Sequence, residues 1–173
     1  MSSILVSSPR LARLVVGLLL ACVVPCAGAS PSQLMHKPAP DFTRNDIYGH
    51  RVNLASFRGH VVLLTFWATW CAPCQIEMPH LVRWQSQFGP QGLQIVAISM
   101  DDSAAPVRSL ARKRGVNYPV IMGDEELGAL YGGVLGLPVT FLIDRDGKID
   151  AVFKGESDLN RLKMRISSLL KSP

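Results

Sequence analysis

Phe66-Trp67-Ala68-Thr69-Trp70-Cys71-Ala72-Pro73-Cys74 follows an apolar run over residues 61–64 and precedes an amphipathic run over residues 75–88. That order reads strand, turn, helix, with Cys71 at the helix start. The first turn of a helix leaves backbone N–H groups without intrahelical partners and carries partial positive charge, and both stabilise a thiolate. Cys71 is therefore the expected reactive thiol. Two intervening residues place Cys74 in the same helix, close enough to form a short disulfide with Cys71 and to attack any mixed disulfide that Cys71 makes with a partner. Cys74 is the expected resolving thiol.

A lone C-x-x-C can also be half of a zinc site, but structural zinc takes four ligands, from a second pair or from histidines. Cys22 and Cys26 lie in an apolar N-terminal run, and His36, His50, His60 and His80 all fall at or before position 80 without H-x3-5-H spacing. The pair reads as a redox couple that requires no metal and no cofactor.

The 173 residues are 48% hydrophobic and 18% charged, enough for one well-buried domain and short for two. The formal charge is +5, but Arg10 and Arg13 belong to the N-terminal segment, which leaves 16 basic and 13 acidic residues, a net +3, for the rest. So weak and scattered an excess does not point to nucleic acid. The one basic cluster, Arg112-Lys113-Arg114, reads as the solvated end of a helix, where cations suit the dipole.

Residues 1–29 read as a targeting segment: basic Arg10 and Arg13, an apolar run over residues 14–24, then Ala27-Gly28-Ala29 ahead of Ser30. Cleavage after Ala29 by the general secretory route is the first reading. Two others stay open. Leu19-Leu20-Ala21-Cys22 resembles a lipoprotein cleavage box, which would lipidate Cys22, and an uncleaved anchor would tether the chain, although the run falls short of the about 20 residues of a membrane span. An exported domain with only Cys71 and Cys74 has no disulfide framework, so the pair reads as a working couple in an oxidising compartment. The expected location is the bacterial periplasm or the outer face of the cell membrane.

Residues 30–38, rich in proline, are expected to be an extended linker, with the domain over residues 39–173. Residues 41–43 and 51–54, around a glycine-bearing turn, read as a β-hairpin. Residues 61–67 and 93–99 read as buried strands, and residues 106–114 as a helix closed by Gly115. A short strand over residues 118–122 and a helix over residues 125–131 follow. This alternation predicts a mainly parallel sheet. Residues 139–143 and 148–153 form a second hairpin around Asp144-Arg145-Asp146-Gly147, and Ser157 is the candidate cap of a terminal helix carrying Leu162 and Ile166. Pro79 should kink the helix after Cys74. His50 and His60, at turns, read as solvated.

W-C-A-P-C after an apolar strand, Pro79 eight residues beyond Cys71, and Gly136-Leu137-Pro138-Val139-Thr140-Phe141-Leu142-Ile143-Asp144 together resemble the thioredoxin superfamily. The N-terminal hairpin behind Pro38-Ala39-Pro40-Asp41-Phe42, the run Glu77-Met78-Pro79 and an inserted helix and strand between Ser103 and Met122 resemble, more narrowly, the exported TlpA/ResA/CcmG-like thiol-disulfide oxidoreductases. The likeness covers roughly residues 38–171. It implies an α/β thioredoxin-like fold, a central mixed sheet flanked by helices, with an N-terminal β-hairpin and an inserted helix-strand.

The resemblance also implies roles. Pro138 would be a cis-proline facing the dithiol, with the backbone of Leu137 pairing with substrate chain. Glu77 matches the acidic residue that helps transfer the Cys74 proton; without the resemblance it would read as an exposed acid near a helix N-terminus. Trp70, Ala72 and Pro73 would rim the dithiol and meet the partner, while Trp67 packs in the core. Two positions depart from the pattern. Thr65 stands where ordinary thioredoxins carry a buried Asp, which leaves Glu77 as the base, and Val139 stands where the family often has Thr.

The implied activity is reduction of disulfides in exported proteins, of the cytochrome c maturation or copper-oxidase assembly type, by a monomer supplied with electrons by a DsbD/CcdA-like membrane thiol donor. Ala72-Pro73 adds no charge between the cysteines, which favours reduction over oxidation. Fold alone does not settle function. A thiol peroxidase of related architecture needs Thr three residues before its reactive Cys, and position 68 is Ala68. A copper-binding assembly protein uses C-x3-C and a later His, and no His follows His80.

Overall fold

The computed structural model describes residues 30–156 and 158–172. The readings of residues 1–29, and Ser157 as a helix cap, lie outside the described residues.

A strand with no polar face must be covered on both sides. β3 (Val61–Trp67) is buried at every position and stands in the middle of a five-stranded sheet. On one side it pairs in parallel with β4 (Leu93–Ser99), which pairs in parallel with β5 (Val120–Met122). On the other it pairs antiparallel with β6 (Val139–Ile143), which pairs antiparallel with β7 (Ile149–Lys154). The sheet is therefore mixed. Strand-helix alternation correctly foresaw the parallel half, where α1 (Ala72–Phe88) and α2 (Ala104–Lys113) carry the chain between β3, β4 and β5. The tight turn at residues 144–147 makes β7 antiparallel to β6, while the stretch after β5 that includes residues 125–130 returns the chain so that β6 runs antiparallel to β3.

Successive side chains of β3 point to opposite faces, and two apolar layers result. Val61, Leu63 and Trp67 pack with α1, α2 and α4 (Leu159–Lys171), through Met78, Leu81, Val107, Leu162 and Ile166 among others. Val62, Leu64 and Phe66 face the other layer, with Leu127 of α3 (Glu125–Leu130), Tyr131 and Phe141. The Asp158 carboxylate caps α4 by accepting from the backbone N–H groups of Asn160 and Arg161. Among the described residues no helix is long and apolar enough to cross a membrane.

The small hairpin forms from β1 (Thr43–Asn45) and β2 (Arg51–Asn53). Its first strand starts two residues later than the sequence suggested, because residues 41 and 42 serve the next turn instead: the Asp41 carboxylate accepts from Ala55 N–H (3.0 Å) and Phe42 C=O accepts from Leu54 N–H (3.1 Å).

The expectation of an extended linker over residues 30–38 is corrected. Pro31–Leu34 forms a 3-10 helix with Pro31 and Leu34 buried. His36 N–H donates to Ile149 C=O (2.7 Å), and Lys37 C=O accepts from Ile149 N–H (2.9 Å). An edge strand offers unpaired backbone groups, and this segment pairs with those of Ile149 at the start of β7. Gly147, at φ +75°, closes the adjoining turn; a Cβ there would meet the Arg58 guanidinium, which donates to Asp146 C=O.

Candidate active site

The turn between β3 and α1 is built from both ends. Ala68 C=O accepts from Cys71 N–H (3.1 Å), and Cys71, at φ −85° and ψ 102°, is the N-cap of α1. Pro73 sits in the first turn, where a missing N–H removes a donor that would have had no helical partner. Cys71 and Cys74 are joined in a disulfide with a Cα–Cα distance of 5.3 Å, and Cys74 N–H donates to the Cys71 sulfur (3.3 Å). When the bond is reduced, that N–H and the helix dipole favour the Cys71 thiolate.

A second set of contacts holds the turn from outside, and the sequence reading missed it. The Asp101 carboxylate accepts from Thr69 N–H (2.9 Å), from the Thr69 hydroxyl and from the Ser99 hydroxyl (2.7 Å). Thr69 C=O accepts from the Gln75 side-chain amide (2.7 Å), whose oxygen accepts from Arg114 (3.1 Å). The only signal in the sequence was that Asp101 follows a buried strand. Parallel pairing of β3 with β4, Trp67 opposite Ser99, brings it to the turn.

Behind the dithiol lies a cavity of about 10 Å³, roughly the room for one water centre, lined by Thr65, Cys74, Glu77, Tyr118 and Pro138 among others. Glu77 is only 3% exposed, so the plain reading of it as a surface acid is corrected: it lies on the inward side of α1, with Met78 and Leu81. The Thr65 and Thr140 hydroxyls, opposite one another on β3 and β6, share a buried hydrogen bond of 2.9 Å. Burial pushes the Tyr118 phenol far above its ordinary range, so it remains protonated. The Leu137–Pro138 peptide is cis, and Pro138 O accepts from Gly155 N–H (2.8 Å).

The rim is apolar. Trp70 is 70% exposed and Leu135 fully exposed, while Ala72 and Ile76 lie open on α1. Trp67 is buried in the core. The structure thus gathers Cys71, Cys74, Glu77 and Pro138 at one end of the sheet, with Trp70, Ala72, Pro73 and Leu137 in the segments bordering them.

A helix-capping cysteine paired with a second one at i+3, on a five-stranded mixed sheet between helical layers, defines a thiol-disulfide oxidoreductase of the thioredoxin fold. Residues 35–152 match the AhpC/TSA family model, and the chain belongs to that family. It is 35% identical over 128 residues to the thiol-disulfide oxidoreductase ResA of Bacillus thuringiensis subsp. konkukian, covering 73% of each chain. It is 37% identical over 117 residues to ResA of Bacillus subtilis, covering 68% of this chain and 65% of that one. A candidate thiol:disulfide interchange protein DsbE from Chlorobium tepidum superposes with a TM-score of 0.74 at 32% identity, over 79% of this chain and 97% of that one. Substrates of such a protein carry disulfides. Position 68, where a peroxidase of this architecture needs Thr, is a buried Ala68.

Proposed function

We propose that this chain is an exported protein-disulfide reductase, of the kind that serves cytochrome c maturation or copper-oxidase assembly. The observation that carries the reading is the asymmetry of the dithiol. Cys71 caps α1 at the apolar rim, and Cys74 borders the cavity that Glu77 also lines. The reduced Cys71 thiolate attacks one sulfur of a client disulfide, and the client's other sulfur leaves as a thiolate and takes a proton. Glu77 then accepts the Cys74 proton, and the Cys74 thiolate attacks Cys71 in the mixed disulfide, releasing the second client thiol. Two electrons pass from the dithiol to the client, and the protein is left oxidised. A membrane dithiol donor of the DsbD/CcdA kind restores it. Trp70, Ala72, Pro73 and Leu137 meet the client, the last through its backbone beside Pro138.

In this proposal residues 1–29 direct export, the mature chain begins at Ser30, and it works as a monomer. A lipid on Cys22 or an uncleaved anchor would instead hold it at the outer face of the membrane. The absence of charge in Ala72-Pro73 supports the reducing direction. Equilibration of the Cys71/Cys74 pair with a dithiol buffer, followed through Trp70 fluorescence, tests that direction. A potential near thioredoxin's roughly −270 mV is expected, and a value near roughly −120 mV would make the protein an oxidant.

A further inference from the structure

Beside Cys71 the outward side of α1 and the end of α2 enclose a groove of about 400 Å³, lined by Ala72, Gln75, Ile76, Pro79 and Arg114. Its floor is apolar: Ile76 is 59% exposed, a large aliphatic side chain left to water beside exposed Ala72 and Pro79, while Met78, Leu81, Trp84 and Phe88 of the same helix are buried. Its wall is cationic. Arg114 is exposed and held in place by the Gln75 amide, itself fixed to the Thr69 carbonyl. Arg112 and Lys113 precede it, also exposed, and Arg83 lies further along the outward side of α1, against His80. Neither helix brings an exposed carboxylate: α2 contains none, and the single acid of α1, Glu77, is turned inward and buried.

We propose that this groove seats the client chain next to its disulfide, and that it selects clients with an aliphatic side chain and acidic residues in that flanking segment. The inference rests on the oxidoreductase reading and adds its substrate class. Gln75 occupies part of the Arg114 guanidinium fork and leaves other donors for a carboxylate, a match that Arg makes with planar geometry. Because Gln75 and Thr69 already order the side chain, little is lost in ordering it on binding. A single-sign rim with apolar contact at its centre steers encounter and sets register more than it adds affinity.

The test uses the full chain, reduced, with two synthetic disulfide peptides that differ only in three flanking residues, all Glu or all Lys, and with 2-hydroxyethyl disulfide as an uncharged reference. At low salt kcat/KM for the acidic peptide should exceed that for the basic one by roughly five- to tenfold. That ratio should shrink towards one as salt shortens the screening length. Arg114→Glu should bring the ratio to one or below. So should Arg112→Glu/Lys113→Glu in part, without touching the Gln75 contact. Using a ratio cancels any change in the dithiol itself. Equal rates for the two peptides with the unaltered chain, or a ratio that survives both variants, would overturn the proposal. Loss of activity on 2-hydroxyethyl disulfide as well would instead overturn the oxidoreductase reading beneath it.

Discussion

The two sides of α1 differ in burial, and the proposed mechanism assigns them different halves of the chemistry. The inward side holds Cys74, Glu77, Met78 and Leu81, all buried, against the sheet; the outward side holds Ala72, Ile76 and Pro79, open to water. In the proposed mechanism the seventeen residues of this one helix would separate proton handling from partner contact. The separation matters because the two tasks need opposite surroundings. A proton donor or acceptor works best where water is scarce and its neighbours are fixed, while a docking surface must be reached. The difference teaches that a substitution's consequence here depends less on distance from the cysteines than on which side of α1 it meets.

The largest effect is expected at the dithiol. Cys74→Ser should reduce turnover to background and leave client trapped on Cys71 as a mixed disulfide, visible by mass. Release of free client at the normal rate would show that Cys74 does not resolve. Glu77→Gln tests the inward side next. Thiol exchange at neutral pH should slow by roughly 10²-fold, and its pH profile should move upward. An unchanged profile would remove Glu77 from proton transfer and collapse the division of labour along α1.

Stability sharpens the same contrast with smaller numbers. Thr65→Val strands the Thr140 hydroxyl in the core and should cost about 1–3 kcal/mol in urea unfolding. The pair Thr65→Val/Thr140→Val should cost less than the two single changes summed, since neither side then keeps an unpaired hydroxyl. Ile76→Ala, on the outward side, should stay within about 0.5 kcal/mol. If Ile76 proved as costly as Thr65, its exposure would be misread and the groove with it.

The smallest effect lies away from α1, in the β1–β2 turn. Burial pushes the Asp46 carboxyl up, but hydrogen bonds from His50 N–H, the His50 ring and Tyr48 N–H, with the charge of His50, together outweigh it and hold the carboxyl below its ordinary value. A carboxylate with a lowered folded-state value stabilises the fold above its unfolded value and loses that contribution as pH falls through the folded one. Unfolding free energy should therefore decline slightly below about pH 4, and Asp46→Asn should flatten that decline.

Much of this was legible in the chain because it is local. The apolar run ending in Trp67, the W-C-A-P-C turn, the Gly147 hairpin and the stripe through Leu162 and Ile166 each depend on neighbours within a few residues. The strand over residues 61–67 and the helix start at Cys71 were placed as the structure has them. Pairings between distant segments were not legible. Residues 30–38 carry two prolines, Pro31 and Pro38, and few apolar anchors, so they read as a linker; that they pair with Ile149 at the start of β7 depends on where β7 lies. Asp101 reads as an ordinary loop acid until β4 lies beside β3.

The sequence by itself determined which atoms react and how the chain alternates between strand and helix, because spacing along one segment sets the reach of Cys74 to Cys71 and the faces of each element. Only the tertiary structure decided the surroundings of those atoms. It buried Glu77, joined Thr65 to Thr140 across 75 residues, tied Asp101 to Thr69, and set Arg114 against the outward side of α1. Those are contacts between segments far apart in the chain, and close packing of the two layers against the sheet, rather than any local rule, brings them together.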